Sequence, residues 1–111
     1  MIRAAGFIAA LIGLSALSAA AETQVVTTRY ACDRGVEVPV TLVTAEDQAV
    51  AVLHVDGRQI TLYLEAGESG ARYGWPSGGS NYVWMMQDAT GTLLWKTPEG
   101  ETPLLGCTQI N

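Results

Sequence analysis

Cations are scarce in this sequence. Its 111 residues hold 6 Lys+Arg against 11 Asp+Glu, for a formal charge of -5, and Lys96 is the lone lysine. Binding to a phosphate backbone is built on Lys and Arg, so a nucleic-acid partner is not expected. Metal ligands of the soft and imidazole kinds are equally few. One His and two Cys cannot furnish a four-ligand structural zinc site. There is no glycine-rich phosphate fingerprint and no activated nucleophile beside the single histidine, so neither a cofactor nor an enzymatic activity is expected. The length allows one domain. Apolar residues make up 49% and charged residues 15%, which excludes a disordered acidic tail.

Long hydrophobic runs are also missing. The longest lies at the N-terminus, where Arg3 precedes an apolar stretch containing Phe7, Ile8, Leu11, Ile12, Leu14 and Leu17. At about 14 residues it is short of the roughly 20 that span a bilayer. Ala19 and Ala21 provide the small residues of a cleavage site, so residues 1–21 are expected to be a secretory signal peptide cleaved near Ala21. No cysteine stands at that point to carry a lipid, and no membrane anchor is expected. The domain is then 22–111, exported to the periplasm. Losing Arg3 leaves five cations against 11 carboxylates, a charge of -6. Both cysteines, Cys32 and Cys107, fall in this part. In an oxidising compartment they read as one disulfide. It would close about 75 residues, a stabilisation of roughly 4 kcal/mol in the loop-entropy view.

Turn signals recur every eight to twelve residues, and no stretch has a helical period. That pattern predicts an all-β sandwich or barrel. The clearest element is a hairpin at Asp56-Gly57, a pair that favours a two-residue type I′ turn. Its register sets Val55 opposite Arg58, His54 opposite Gln59, Leu53 opposite Ile60 and Ala51 opposite Leu62. Ala49, Ala51, Leu53, Ile60, Leu62 and Leu64 then share the core face, while His54, Gln59, Thr61 and Glu65 share the other. Val36, Val38, Val40 and Leu42 alternate with polar residues on the preceding strand. Pro39 marks that strand as an edge or as interrupted there. Val26, Thr28, Tyr30 and Cys32 share a face before it. Turns are expected at Asp33-Arg34-Gly35 and Ala45-Glu46-Asp47, and later strands over 81–87, 92–96 and 104–110. Residues 88–91 and 97–100 turn between them. The count is seven or eight strands, enough to close a small antiparallel barrel.

Few residues stand out as functional. His54 falls on the polar face, where a metal role has no partner. Glu46-Asp47 and Glu99-Glu101 read as solvated turns. Trp75, Trp84 and Trp95 with Tyr63, Tyr73 and Tyr82 serve mainly packing, but Trp75 lies in a Gly/Pro/Ser-rich loop and could belong to a ligand platform. Residues 66–73 combine small residues with one hydroxyl, one guanidinium and one phenol. Such a segment suits a protruding loop on a rigid β scaffold.

Tyr30-Ala31-Cys32-Asp33-Arg34-Gly35, followed by a valine-rich strand, resembles the opening of the bacterial inhibitors of c-type (animal) lysozyme, the membrane-bound and periplasmic MliC/PliC proteins. Ser69-Gly70-Ala71-Arg72-Tyr73 matches that family's most characteristic motif without a change, and a Trp-containing strand and a closing Cys follow, as Trp84 and Cys107 do here. The resemblance covers nearly all of 22–111. It implies an eight-stranded antiparallel barrel, a Cys32–Cys107 disulfide, and a binding loop made by Ser69, Gly70, Ala71, Arg72 and Tyr73. Ser69 would enter the lysozyme cleft and bond to the catalytic carboxyl groups. The family's pattern near the later tryptophan is Trp-x-Lys-Gly, where this chain reads Trp84-Met85-Met86-Gln87-Asp88, so Gln87 or Met86 replaces an assisting lysine. The implied partner is a c-type lysozyme, a basic protein towards which an acidic chain would be steered. A homodimer is left open. The competing reading is a periplasmic barrel that binds a small ligand or glycan in a cavity lined by Trp and Tyr.

Overall fold

The computed structural model describes residues 22–65 and 71–110. The expected signal peptide and part of the motif, Ser69 and Gly70, lie outside the described residues.

Eight antiparallel strands form a closed barrel in simple sequence order: β1 (Thr23–Cys32), β2 (Glu37–Ala45), β3 (Gln48–Val55), β4 (Arg58–Glu65), β5 (Ala71–Gly74), β6 (Asn81–Gln87), β7 (Thr90–Thr97) and β8 (Gly100–Gln109). The hairpin register of β3 and β4 is the expected one, with Val55 opposite Arg58 and Ala51 opposite Leu62. Asp56 (φ 57°) and Gly57 (φ 73°) both take the left-handed conformation that a type I′ turn demands. Two-residue turns also join Ala45 to Gln48, Gln87 to Thr90 and Thr97 to Gly100.

Inward positions alternate along each strand, as the period of two requires. Val38, Val40, Ala51, Leu53, Leu62, Trp84 and Leu93 are almost fully buried and, with Tyr30, Tyr73, Leu105 and Cys107, fill the interior. A small barrel closed in this way is occupied by its own side chains. The Trp84 ring meets Tyr30 edge-on, with centroids 5.0 Å apart. The Tyr30 hydroxyl donates to Met86 Sδ at 3.6 Å. Pro39 is opposite Arg29 of β1, and the ladder to β3 starts one residue later, at Val40. A residue with no N–H is accommodated where β2 has a partner on one side only.

Two expectations need correction. Leu64 is exposed, since the β3–β4 ladder ends at the Val50–Tyr63 pair and Leu64 lies beyond it beside an open pocket with Gln48 and Ala49. Gly91 is not part of a turn but a buried member of β7 opposite Met86. Val26 shares a face of β1 with Thr28, Tyr30 and Cys32, and is exposed along with Val25 because that end of β1 is paired only to β2.

β1 meets β8 through three residue pairs, the last of them Cys32–Cys107, and the two cysteines form the disulfide. The 33–35 turn is tied to the same seam: the Gly106 N–H donates to Asp33 Oδ2 at 2.7 Å. Arg34 (φ 61°) and Gly35 (φ 72°) give the chain its sharp change of direction there. The opening stretch 30–35 is therefore barrel closure hardware, holding the first strand to the last.

Candidate functional site

β4 runs out at Glu65 and β5 starts at Ala71, and Glu65 stands opposite Arg72 in the ladder between them. These two residues flank the segment that contains Ser69 and Gly70. Arg72 Nε donates to Glu65 Oε1 at 2.7 Å, so a charge-assisted bond fastens the base of the segment. The rest of the guanidinium grips Glu101 of β8: Nη1 donates to Oε1 at 3.0 Å and Nη2 to Oε2. Nη1 also lies 3.8 Å from Met85 Sδ. The Arg72 side chain is only 15% exposed. To reach Glu101 from β5 it must cross β6 and β7. On that outer face Val83 and Leu94, cross-strand partners, are buried although they are not part of the interior cluster. The long aliphatic stem of an arginine suits such a cover.

The hydrogen bonds that Arg72 donates to Glu101 and Glu65 stabilise the charged guanidinium and raise its pKa further. The reciprocal effect, chiefly the hydrogen bond from Arg72, lowers the pKa of Glu101. A carboxylate whose folded pKa is depressed contributes stability above its unfolded value, and that contribution is lost as pH falls through the folded value. The unfolded reference is 4.5. Glu101→Gln should therefore lower stability at neutral pH and flatten the acid limb below about pH 4.5. Arg72→Ala should cost about 1–2 kcal/mol: bonds to charged groups are worth more than that in burial, but solvent reaches the carboxylates here. Urea titrations at pH 7 and pH 3.5 would check both, and a pH-independent difference between parent and Glu101→Gln would contradict the assignment.

The remaining candidates are distributed unevenly. Ala71 is opposite Met86, and Ala71, Met86, Gln87 and Asp88 line one open groove at this end of the barrel. Gln87 is thus exposed beside the base of the motif segment. Tyr73 instead turns into the interior, 5% exposed opposite Trp84, and burial raises its phenol pKa. The motif divides by function: Tyr73 anchors β5 in the core, Arg72 clamps it from outside, and Ala71 opens towards the groove. His54 is exposed, as the hairpin register requires. Glu65 and Glu101 were missed as site residues. Glu65 could have been found from its place just before the motif. Glu101 could not, since a turn carboxylate 29 residues further on gives no local sign of its partner.

The family model described as "Membrane-bound lysozyme-inhibitor of c-type lysozyme" matches residues 30–101. The chain belongs to this family. The match takes in the MliC motif and both of the clamp's carboxylates. Two solved MliC/PliC structures share the fold. One is Pseudomonas aeruginosa MliC in complex with hen egg white lysozyme, 24% identical, covering 91% of this chain and 98% of that one, with a TM-score of 0.63. The other is PliC-St, a periplasmic inhibitor of c-type lysozyme from Salmonella typhimurium, 22% identical, covering 79% of this chain and 100% of that one, with a TM-score of 0.66. No curated protein matches the chain. Among the described residues of this MliC relative, no helix is long and apolar enough to cross a membrane.

Proposed function

We propose that this protein inhibits c-type lysozyme by occupying the glycosidase cleft with the segment around Ser69, and that it acts by binding rather than catalysis. The observation that carries the reading is the family match over 30–101, which includes the whole Ser69-Gly70-Ala71-Arg72-Tyr73 motif. Its P. aeruginosa relative is a protein crystallised with a lysozyme. The geometry supports it: the segment's two ends are fastened by the Glu65–Arg72 bond, and a fastened loop loses less freedom on binding than a loose one.

The chemistry is that of a hydroxyl meeting two carboxyl groups. A lysozyme cleft holds one protonated and one ionised carboxyl. A serine hydroxyl can accept from the first and donate to the second. It presents no glycosidic bond, so nothing is cleaved. Gln87 beside Ala71 offers a neutral amide where a lysine would offer a cation. The protein would work in the periplasm after removal of residues 1–21, with its domain beginning at Glu22.

Titration of a c-type lysozyme acting on cell walls with the mature, disulfide-bonded protein is the direct test. Stoichiometric loss of lytic activity is expected. Ser69→Ala should weaken inhibition about tenfold or more, the value of a hydrogen bond to a charged group, with an unchanged melting temperature. Inhibition that survives this substitution would remove the proposed mechanism. Gln87→Lys should strengthen inhibition by a similar factor through a cation facing carboxylates, and a loss would show that Gln87 does not face the cleft.

A further inference from the structure

The barrel is closed, yet one of its joints is unzipped for part of its length. β5 has four residues; its ladders reach only 63–65 of β4 and 84–86 of β6. Residues 58–62 of β4 and 81–83 of β6 have no strand between them. A groove opens there, lined by Arg58, Gln59, Asn81 and the rings of Trp75, Tyr82 and Trp95, among others. Trp75 is 40% exposed and Trp95 36%. Both indoles are held by aromatic neighbours: Trp75 by Tyr63 at 5.8 Å between centroids, Trp95 edge-on by Tyr82 at 5.0 Å. Asn81 Oδ1 accepts the Tyr82 N–H at 2.7 Å, standing in for a missing ladder bond, which leaves the two N–H donors of the same amide for the groove.

The electrostatics of the groove run against those of the molecule. The chain has 11 Asp+Glu, but among the described lining residues there is no carboxylate, and Arg58 is the only charge. An inserted peptide strand does not fit the joint. β4 and β6 approach within 8 Å between Cα atoms, while a strand between them needs about 9.5 Å, twice the interstrand spacing. A ligand must lie on the groove and use what faces it: flat exposed indoles, planar amides and one guanidinium.

We propose that this groove binds a linear pyranose glycan. The apolar C–H face of a sugar ring stacks on indole, and vicinal hydroxyls pair with planar amide and guanidinium donors. Arg58 also admits a sugar that bears a carboxylate. Arg58 and Glu65, the residue that flanks the Ser69 segment, stand at opposite ends of β4, seven residues or about 23 Å apart at the strand rise, and Trp75 packs on Tyr63 between them. The groove shares no residue with the Ser69–Tyr73 motif or Gln87, so the proposal stands apart from the inhibitor reading.

Heteronuclear NMR titration of the mature, disulfide-bonded protein with chitotetraose and with cellotetraose tests it. At least one glycan should give saturable shifts at the Trp75 and Trp95 indole N–H signals. Trp75→Ala and Gln59→Ala should each weaken that binding, the former roughly five- to tenfold. Ser69→Ala should bind glycan like the parent. No shifts with either sugar at millimolar concentration, or binding indifferent to Trp75→Ala, would overturn the proposal. So would shifts produced by an extended peptide along the backbone amides of 58–62 in place of the glycan response.

Discussion

Replacing Cys32 and Cys107 together by alanine is expected to cost about 4 kcal/mol and lower the melting temperature by on the order of 20 °C. Two features make the effect large. The bond closes a chain of 75 residues, near the top of the range for loop entropy in so small a domain. It also sits in one of the three shortest ladders. β1 and β8 share three residue pairs, whereas β7 and β8 share eight, and the cysteines are themselves one of those three. Little else closes the seam: the Gly106–Asp33 hydrogen bond and one from the Ile110 N–H to the Arg29 carbonyl at 2.9 Å. Calorimetry of the parent and the double alanine variant would read the difference directly. Melting temperatures within a few degrees of each other would show that the seam is held by packing instead.

Gly91→Ala is expected to destabilise the barrel by up to about 3 kcal/mol, although it adds a single methyl group. Gly91 has an ordinary strand conformation, so its role is space. A Cβ built there collides with Cζ2 and Cη2 of Trp84, a ring with no exposed surface and no room to retreat. The two colliding atoms belong to the outer edge of the indole, which phenylalanine lacks. Trp84→Phe should accordingly relieve the clash, and the double variant Gly91→Ala/Trp84→Phe should be more stable than the sum of its parts predicts. The Trp84 Nε1–H is buried with no partner among the described residues, so removing it returns part of what the smaller ring loses. Additive free energies in a denaturant-melt cycle would refute the contact.

Much of the fold was legible because its signals are local. Asp56-Gly57 dictates a turn, the turn dictates the register, and the register places Leu53 and Leu62 inside and His54 outside. The strand at 81–87 was bounded by an Asn and an Asp and was read correctly. The misreadings have non-local causes. β7 runs over Thr90–Thr97 where 92–96 was expected, and β8 begins at Gly100, four residues before the expected 104, and ends at Gln109, because polar rim residues pair as strand without hydrophobic alternation. β5 was hidden inside a segment read as loop, since four residues with one inward tyrosine carry too little pattern. Glu101, read as a solvated turn residue, is committed to Arg72. The candidate site was visible as a motif, but the sequence did not separate the residues that could touch a partner from those that hold the motif in place. Arg72 and Tyr73 look equally available in the sequence; burial and two carboxylates distinguish them.

The order of the strands has a kinetic consequence. Seven of the eight ladders join strands that are neighbours in sequence, so each can form by closing a short loop. Only the joint between the first strand and the last spans the whole domain, and contacts of that range are slow to find. The two cysteines come side by side in their native register when the other seven joints have wound the sheet round on itself. In that register oxidation acts as a latch on a wound barrel, and it fixes the one joint that no short loop can close.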